Sequence, residues 1–160
     1  MTGAASWSFS ENDFKVIQQH LLAFLRESNA RCALLVDRNG QLMTTAGETP
    51  HFDSTAFASL TAADFSANDQ LAKMIGEPEF ASLVHQGEKE SMFLADVAKR
   101  VILVVLFDQR ATLGLVKLKA RAVVEQLNKV LEEMFNRVGT GRSEKGVLEG
   151  AEDEIDRLFG

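Results

Sequence analysis

The chain has 160 residues, is 46% hydrophobic and carries a formal net charge of −6 at neutral pH. This length and apolar content suit one domain with a substantial core. The acidic balance, the absence of Tyr and the lack of a Lys/Arg cluster argue against nucleic-acid binding. The longest apolar run, Val101–Phe107, is much shorter than the roughly 20 residues of a membrane-spanning helix. With Cys32 as the one cysteine no internal disulfide is possible, so we expect a cytoplasmic protein without membrane insertion.

The first elements in the chain are a helix and a hairpin. Ser10 and Asp13 have capping-box spacing, and the apolar residues behind them repeat with helical period, which predicts a helix over about 11–27. Two short apolar runs then flank Asn39-Gly40, a strong hairpin signal because both residues tolerate positive φ. The predicted strands are Ala33–Val36 and Gln41–Ala46.

The second predicted helix, Ser54–Ile75, has two contrasting faces. One face is apolar, and we expect it to pack on the core; it carries Phe57, Leu60, Ala67, Leu71, Met74 and Ile75. The opposite face is mostly small and uncharged, with Phe65 at its margin: Thr55, Ala58, Ser59, Ala62, Ser66, Asp69, Gln70 and Lys73. Another backbone could approach such a face closely, so we interpret it as a docking surface. The alternative is a helix buried on both sides within its own fold or homodimer.

The rest of the predicted domain is three strands and a long helix. The strands are Ser82–Gln86, Ser91–Val97 and the fully apolar, therefore central, Val101–Phe107. An apolar stripe predicts a helix over Ala111–Arg137. The order α-β-β-α-β-β-β-α indicates one mixed α/β (α+β) domain, in which helices lie on both faces or at one edge of a five-stranded antiparallel sheet.

The predicted domain, 11–138, is flanked by an N-terminal extension, 1–10, and a different C-terminal part. The Gly-rich residues 139–150 predict a flexible linker. Residues 151–160 predict a short acidic amphipathic helix, with Ile155, Leu158 and Phe159 on one face behind a run of acids. Such a segment either folds on a partner or is a frayed acidic tail.

No self-contained active site is apparent in the sequence. His20, His51 and His85 fall on different elements, without metal-ligand spacing, and no phosphate-binding loop is complete. We therefore expect no catalytic residue, metal or cofactor. Arg38 and Arg110 lie in turns at strand ends. An arginine there acts as a finger in a partner's phosphate site, is solvated, or pairs with its neighbouring Asp, here Asp37 or Asp108.

Five stretches together resemble the Roadblock superfamily, and within it the bacterial regulators of cell polarity and gliding motility. They are LLVDRNGQLMTTAGE (34–48), FASLTAAD (57–64), LAKMIGEPEF (71–80), VILVVLFDQRATLGLVKL (101–118) and DEIDRLF (153–159). The resemblance implies a five-stranded antiparallel sheet between helices. It also implies a homodimer, formed through the second helix and the neighbouring strand, that regulates a Ras-like small GTPase of MglA type. It further implies concentration at a cell pole.

The resemblance also implies roles for particular residues. Such regulators stimulate GTP hydrolysis, and possibly tune nucleotide exchange, by remodelling the GTPase without an arginine finger. The residues matched to GTPase binding are Ala62, Ser66, Gln70, Lys73, Ile155, Leu158 and Phe159. Those matched to dimerisation are Ala58, Phe65, Ser91 and Phe93. The alternative function is a non-catalytic Roadblock scaffold that holds other proteins together; a small-molecule sensor is a weaker option, because no polar cluster marks a pocket.

Overall fold

The computed structural model describes residues 10–141, with side chains described as far as residue 137. The elements are α1 (Glu11–Ser28), β1 (Cys32–Asp37), β2 (Leu42–Gly47), α2 (Ser54–Met74), β3 (Ser82–Gln86), β4 (Ser91–Val97), β5 (Val101–Phe107) and α3 (Leu113–Gly141). This order confirms the predicted one, and the bounds of β3, β4 and β5 agree with the prediction. The last helix begins two residues later than predicted and continues into the segment predicted to be a linker.

The five strands form one antiparallel sheet in the order β2-β1-β5-β4-β3. All six residues of β1 are buried, and in β5 only Leu106 is partly exposed. Leu34 of β1 lies between Thr45 of β2 and Val104 of β5, so the most apolar strands occupy the centre. β2 and β3 are left as the edges, where backbone groups lack a strand partner on one side.

One face of the sheet is covered by α1 and α3, which pack on each other. The Ser10 hydroxyl oxygen accepts a hydrogen bond from the Asp13 backbone N–H, and the Asp13 carboxylate accepts one from the Ser10 backbone N–H, which confirms the predicted capping box. The core on this side is formed by aliphatic side chains of α1 and α3, spaced by three or four residues, which pack on alternate residues of the strands. Its fully buried members include Leu21, Leu35, Leu103, Leu127 and Leu131.

The other face is covered by α2, whose buried side is not the predicted one. Ala58, Thr61, Ala62, Phe65, Asn68 and Ala72 face the sheet, whereas Leu60, Leu71, Met74 and Ile75 are exposed. The predicted core face of this helix is therefore wrong except at Phe57, which is partly buried against the core beneath α2. Small side chains let α2 lie close to its own sheet and hairpin: a Cβ on Gly40 would come within 3.2 Å of Ser59 Cα. The close approach that the small residues predicted is made by this chain's own backbone.

Two predicted segments lie outside the described residues. These are the N-terminal extension, apart from Ser10, and the C-terminal acidic helix with Ile155, Leu158 and Phe159. Among the described helices, none combines the length and hydropathy needed to cross a bilayer.

Candidate protein-binding surface

The solvent-facing side of α2 carries an apolar stripe, which we define as Leu60, Ala63, Ala67, Leu71 and Met74. These residues are spaced by three or four, so they form one line along the helix. Leu60 is 70% exposed and Met74 81% exposed, and Ile75, directly after the helix, is 71% exposed. Single exposed apolar residues are ordinary, but a continuous row on one helix marks an interaction surface.

A second line on the same side of α2 is polar and also exposed. This polar stripe consists of Ser59, Ser66, Gln70 and Lys73, and it runs beside the apolar stripe on the flank nearer the β1–β2 turn. Ser59 lies against that turn, with its hydroxyl 3.5 Å from the carbonyl oxygen of Gly40. The outer surface of α2 thus carries an apolar row and a polar row of side chains next to each other.

The apolar stripe adjoins the edge strand β3. Asp64, which lies on the opposite flank of the apolar stripe, reaches β3, where its Oδ2 is 2.6 Å from Nε2 of His85. Leu83, which precedes His85 by two residues on the same face of the strand, packs partly buried against the core beneath α2. Helix stripe and strand edge therefore form one continuous surface.

The residues predicted for GTPase binding do not all reach this surface. Ser66, Gln70 and Lys73 are exposed together on the polar stripe, but Ala62 is only 8% exposed and faces the sheet. The tail residues among them lie outside the described residues. Of the described residues predicted for GTPase binding, only Ser66, Gln70 and Lys73 are therefore exposed, and they lie in one row.

The residues predicted for dimerisation are not brought together. Ala58 and Phe65 are buried between α2 and the sheet, whereas Phe93 is buried on the opposite face, in the core beneath α1 and α3. Ser91 is partly exposed at the start of β4. These buried side chains hold α2 and β4 in place, and the surface around α2 is formed by their neighbours.

A polar cluster anchors the C-terminal half of α2 to the end of the sheet. The Arg38 guanidinium donates to Asp69 of α2 at 2.6 Å and to Asp96 of β4, and it lies 5.0 Å from the centre of the Phe65 ring. Burial alone would lower the pKa of Arg38, but the hydrogen bonds to Asp96 and Asp69 outweigh it and raise that pKa. The guanidinium is therefore held as a fixed charge under the helix.

Arg110 is likewise engaged within the chain. Its guanidinium bonds Asp108 and reaches Glu48 at 3.1 Å. Hydrogen bonds with Asp108 and Glu48 raise the pKa of Arg110, and the same contact lowers the pKa of Asp108. Of the three interpretations open for Arg38 and Arg110, the structure supports pairing with carboxylates; Arg110 pairs with the predicted Asp108, but Arg38 pairs with Asp69 and Asp96 instead of Asp37. For Arg38 the partners come from distant elements, which the sequence alone did not indicate.

A concavity of about 540 Å³ lies beside the start of α2, with His51, Phe52, His85 and Met92 among its walls. Cys32 also lines it, and burial raises the pKa of that thiol to about 11. A thiol with such a pKa stays protonated at neutral pH and is a poor nucleophile or ligand. Within residues 10–137, no group of three or more His, Cys, Asp or Glu side chains is arranged to hold a metal ion.

Comparison with known proteins assigns this fold to a family. The family described as Roadblock/LC7 domain matches residues 16–107. A comparison with curated proteins found no match. Among solved structures, MglB from Myxococcus xanthus is 42% identical with a TM-score of 0.72, and the match covers 75% of this chain and 98% of that chain.

Two further solved structures are similar over most of the chain. The gliding protein MglB from Thermus thermophilus is 33% identical with a TM-score of 0.73, covering 78% of this chain and 95% of that chain. An MglB described as having a tetrameric arrangement is 32% identical with a TM-score of 0.72, covering 79% of this chain and 94% of that chain.

Proposed function

Because the chain belongs to the Roadblock/LC7 domain family, we propose that it is a homodimeric regulator of a Ras-like bacterial small GTPase of MglA type. It stimulates GTP hydrolysis and tunes nucleotide exchange, and through the GTPase it acts in cell polarity and motility. The likeness to the MglB of Myxococcus xanthus, which extends over nearly that whole chain, carries the proposal. The exposed surface of α2 supports it, since a regulator without an active site must work through contact.

Dimerisation uses the apolar stripe of α2 and the edge of β3. A two-fold axis beside β3 pairs that strand with its symmetry mate and sets the two apolar stripes against each other. This burial removes Leu60, Leu71 and Met74 from water, and each well-buried aliphatic side chain contributes roughly 1.5–3 kcal/mol. Edge pairing also satisfies the free backbone groups of β3.

The polar stripe is the surface for the GTPase. With the apolar stripes covered in the dimer, Ser66, Gln70 and Lys73 of each protomer remain exposed. The short side chain of Ser66 allows a partner backbone to approach closely, the Gln70 amide can form hydrogen bonds, and Lys73 adds one charge. The regulator accelerates hydrolysis by binding the catalytically assembled conformation of the GTPase more tightly than other conformations. A 10³-fold acceleration corresponds to about 4 kcal/mol of such preference.

The catalytic groups come from the GTPase itself. Arg38 is clamped under α2 by two carboxylates, and Arg110 is paired with Asp108 and Glu48. Withdrawing Arg38 into a partner's site would leave Asp69 and Asp96 without their guanidinium. Withdrawing Arg110 would break its contacts with Asp108 and Glu48, which would then be paired by Arg31 alone. This supports a mechanism by remodelling, in which the regulator positions the GTPase's own residues.

The C-terminal segment 151–160 gives a second contact. The spacing of Ile155, Leu158 and Phe159 predicts an apolar helix face suited to a groove on the GTPase. We assign to it the tuning of exchange. Deleting residues 147–160 should weaken exchange or activation more than it affects folding, and unchanged GTPase kinetics after the deletion would contradict this role.

The proposal is tested by measuring complex formation with an MglA-type GTPase loaded with a non-hydrolysable GTP analogue. Light scattering should give the mass of a dimer plus GTPase. Ser66→Arg combined with Gln70→Arg should abolish the complex and leave the dimer intact, because both residues lie on the polar stripe. Ala63→Arg, on the apolar stripe, should instead dissociate the dimer. A complex that survives the polar-stripe substitutions would contradict the assigned surface.

A further inference from the structure

We propose that the C-terminal segment 151–160 also docks on its own chain, in a groove between α3 and the β3–β4 hairpin. The groove has a volume of about 420 Å³ and lies on the sheet face that carries α3. Phe93 and Ala95 of β4 and Val124 of α3 line it, and Lys117 and Arg121 of α3 are also among its lining residues.

The groove matches the segment in hydrophobicity. Phe93 and Ala95 form the buried floor of the groove, whereas Val124 is partly exposed and offers apolar surface to an incoming side chain. An amphipathic helix binds a groove of this kind by laying down residues spaced by three and four. Ile155, Leu158 and Phe159 have that spacing, and they are the large apolar residues of the segment.

The groove also matches the segment in charge. Lys117 and Arg121 are one turn apart and exposed, and neither has a carboxylate within 4.0 Å among the described residues. Three acidic residues line the groove: Glu79 is paired with Lys99, Asp96 is paired with Arg38, and Glu125 is exposed at the rim, with no ion pair among the described residues. The segment carries acids at 152, 153, 154 and 156, so its polar side meets the two available cations.

The connecting chain is long enough. The described part of α3 ends at Gly141, and the helical rise from there back to Glu125 is about 24 Å. Residues 142–150 can span at most about 30 Å when extended. The segment can therefore turn back and enter the groove at Glu125, running antiparallel to α3 toward Arg121 and Lys117.

Self-docking makes the segment unavailable to a partner, since one apolar face cannot occupy two grooves. A short tether gives an effective concentration in the millimolar range, so even a weak groove competes with a GTPase present at micromolar concentration. This regulatory consequence rests on the proposed function of the segment. The docking itself is a property of this chain alone.

Disulfide trapping in the full chain tests the docking without any GTPase. Glu125→Cys with Arg157→Cys places thiols at the groove rim and on the segment while leaving the apolar residues and both cations unchanged. Under mild oxidation, an intramolecular disulfide should form at least about tenfold faster than in Leu22→Cys with Arg157→Cys. Leu22 of α1 is a matched control because it lies level with Glu125 of α3. The ion pairs Asp13–Arg137 and Glu27–Lys119 show that the two helices run antiparallel, and they fix this alignment.

Charge reversal in the trapped variant separates docking from chance collision. Adding Lys117→Glu and Arg121→Glu should reduce trapping to the rate of the Leu22 pair. Lys15→Glu with Arg26→Glu makes the same change of charge on α1 and should leave trapping fast. Equal rates for the two cysteine pairs, or a disulfide that joins two chains, would overturn the proposal. Because no GTPase is present, either result leaves the proposed GTPase regulation untouched.

Discussion

Arg137 donates a 2.6 Å hydrogen bond to the carboxylate of Asp13, which joins the last part of α3 to the first turn of α1. Asp13 is 7% exposed and also belongs to the capping box of α1. The contact fixes the end of α3 against α1.

This pair should give the domain an acid-sensitive contribution to stability. Burial raises the pKa of Asp13, but the contacts with Arg137 and Ser10 outweigh burial, so that pKa lies below its ordinary value of 3.8. A lowered pKa contributes stability that is fully present above 3.8 and is lost as the pH falls through the folded-state value. Arg137→Met should reduce the free energy of unfolding by about 1 kcal/mol at pH 7.

Denaturant unfolding at several pH values measures this effect. The difference between the parent chain and Arg137→Met should shrink below pH 3.8. Lys129→Met, also on the exposed side of α3, should change the free energy of unfolding by less than about 0.5 kcal/mol. A difference that stays constant into acid would contradict the assigned ion pair.

The apolar stripe of α2 should govern the oligomeric state. Leu71→Arg places a charge at the centre of the stripe, where the dimer would have to bury it, so the chain should become monomeric. Because Leu71 is 58% exposed in the protomer, the folded monomer should keep its secondary structure. Light scattering and circular dichroism measure the two properties. Gln70→Arg, one residue away on the polar stripe, serves as the control and should stay dimeric.

The Arg38 cluster should control how firmly α2 is held. Arg38→Met leaves Asp69 and Asp96 without their cation and should cost about 2 kcal/mol of stability. Arg38→Lys should recover only part of this, because an ammonium group cannot reproduce the planar fork of a guanidinium. Hydrogen exchange should show the loss in the C-terminal half of α2. Unchanged exchange there would contradict the anchoring role.

Cys32 should be unreactive in the folded protein. Burial raises its pKa from 9.0 to about 11, so at pH 8 only about one thiol in 10³ is ionised. We expect alkylation to be at least about 100-fold slower in the folded chain than in denaturant. Mass spectrometry of alkylated protein gives both rates. Rapid labelling of the folded chain would show that β1 opens beside the concavity near His51.

The strands were predictable from sequence because their signals are local. Val101–Phe107 is apolar on both faces, which fits only the middle of a covered sheet, and Asn39-Gly40 marks the turn between β1 and β2. The resemblance added the family, which the match to residues 16–107 confirms. Because each helix and strand could be located along the sequence, the order α-β-β-α-β-β-β-α was predicted without any knowledge of the packing.

The orientation of α2 was not predictable in the same way. Periodicity shows which residues share a face, but it does not show which face is buried. The usual rule that the larger apolar residues point inward fails here: Ala58 and Ala62 face the sheet, and Leu71 and Met74 face solvent. The proposed partner surface on the outside of α2 accounts for this exception: the inner face is apolar because it packs on the sheet, and the outer face is apolar because it would pack on a second chain. The pairing of Arg38 with Asp69 and Asp96 is also invisible in sequence, since it joins three separate elements.

The most direct test of the proposed function is single-turnover GTP hydrolysis by an MglA-type GTPase, with and without this protein. We expect strong acceleration, of the order of 10³-fold, equivalent to about 4 kcal/mol. Arg110→Ala should accelerate equally, whereas removal of a true arginine finger costs roughly 10³–10⁵ in rate. Binding without acceleration would contradict GTPase activation and favour a Roadblock scaffold.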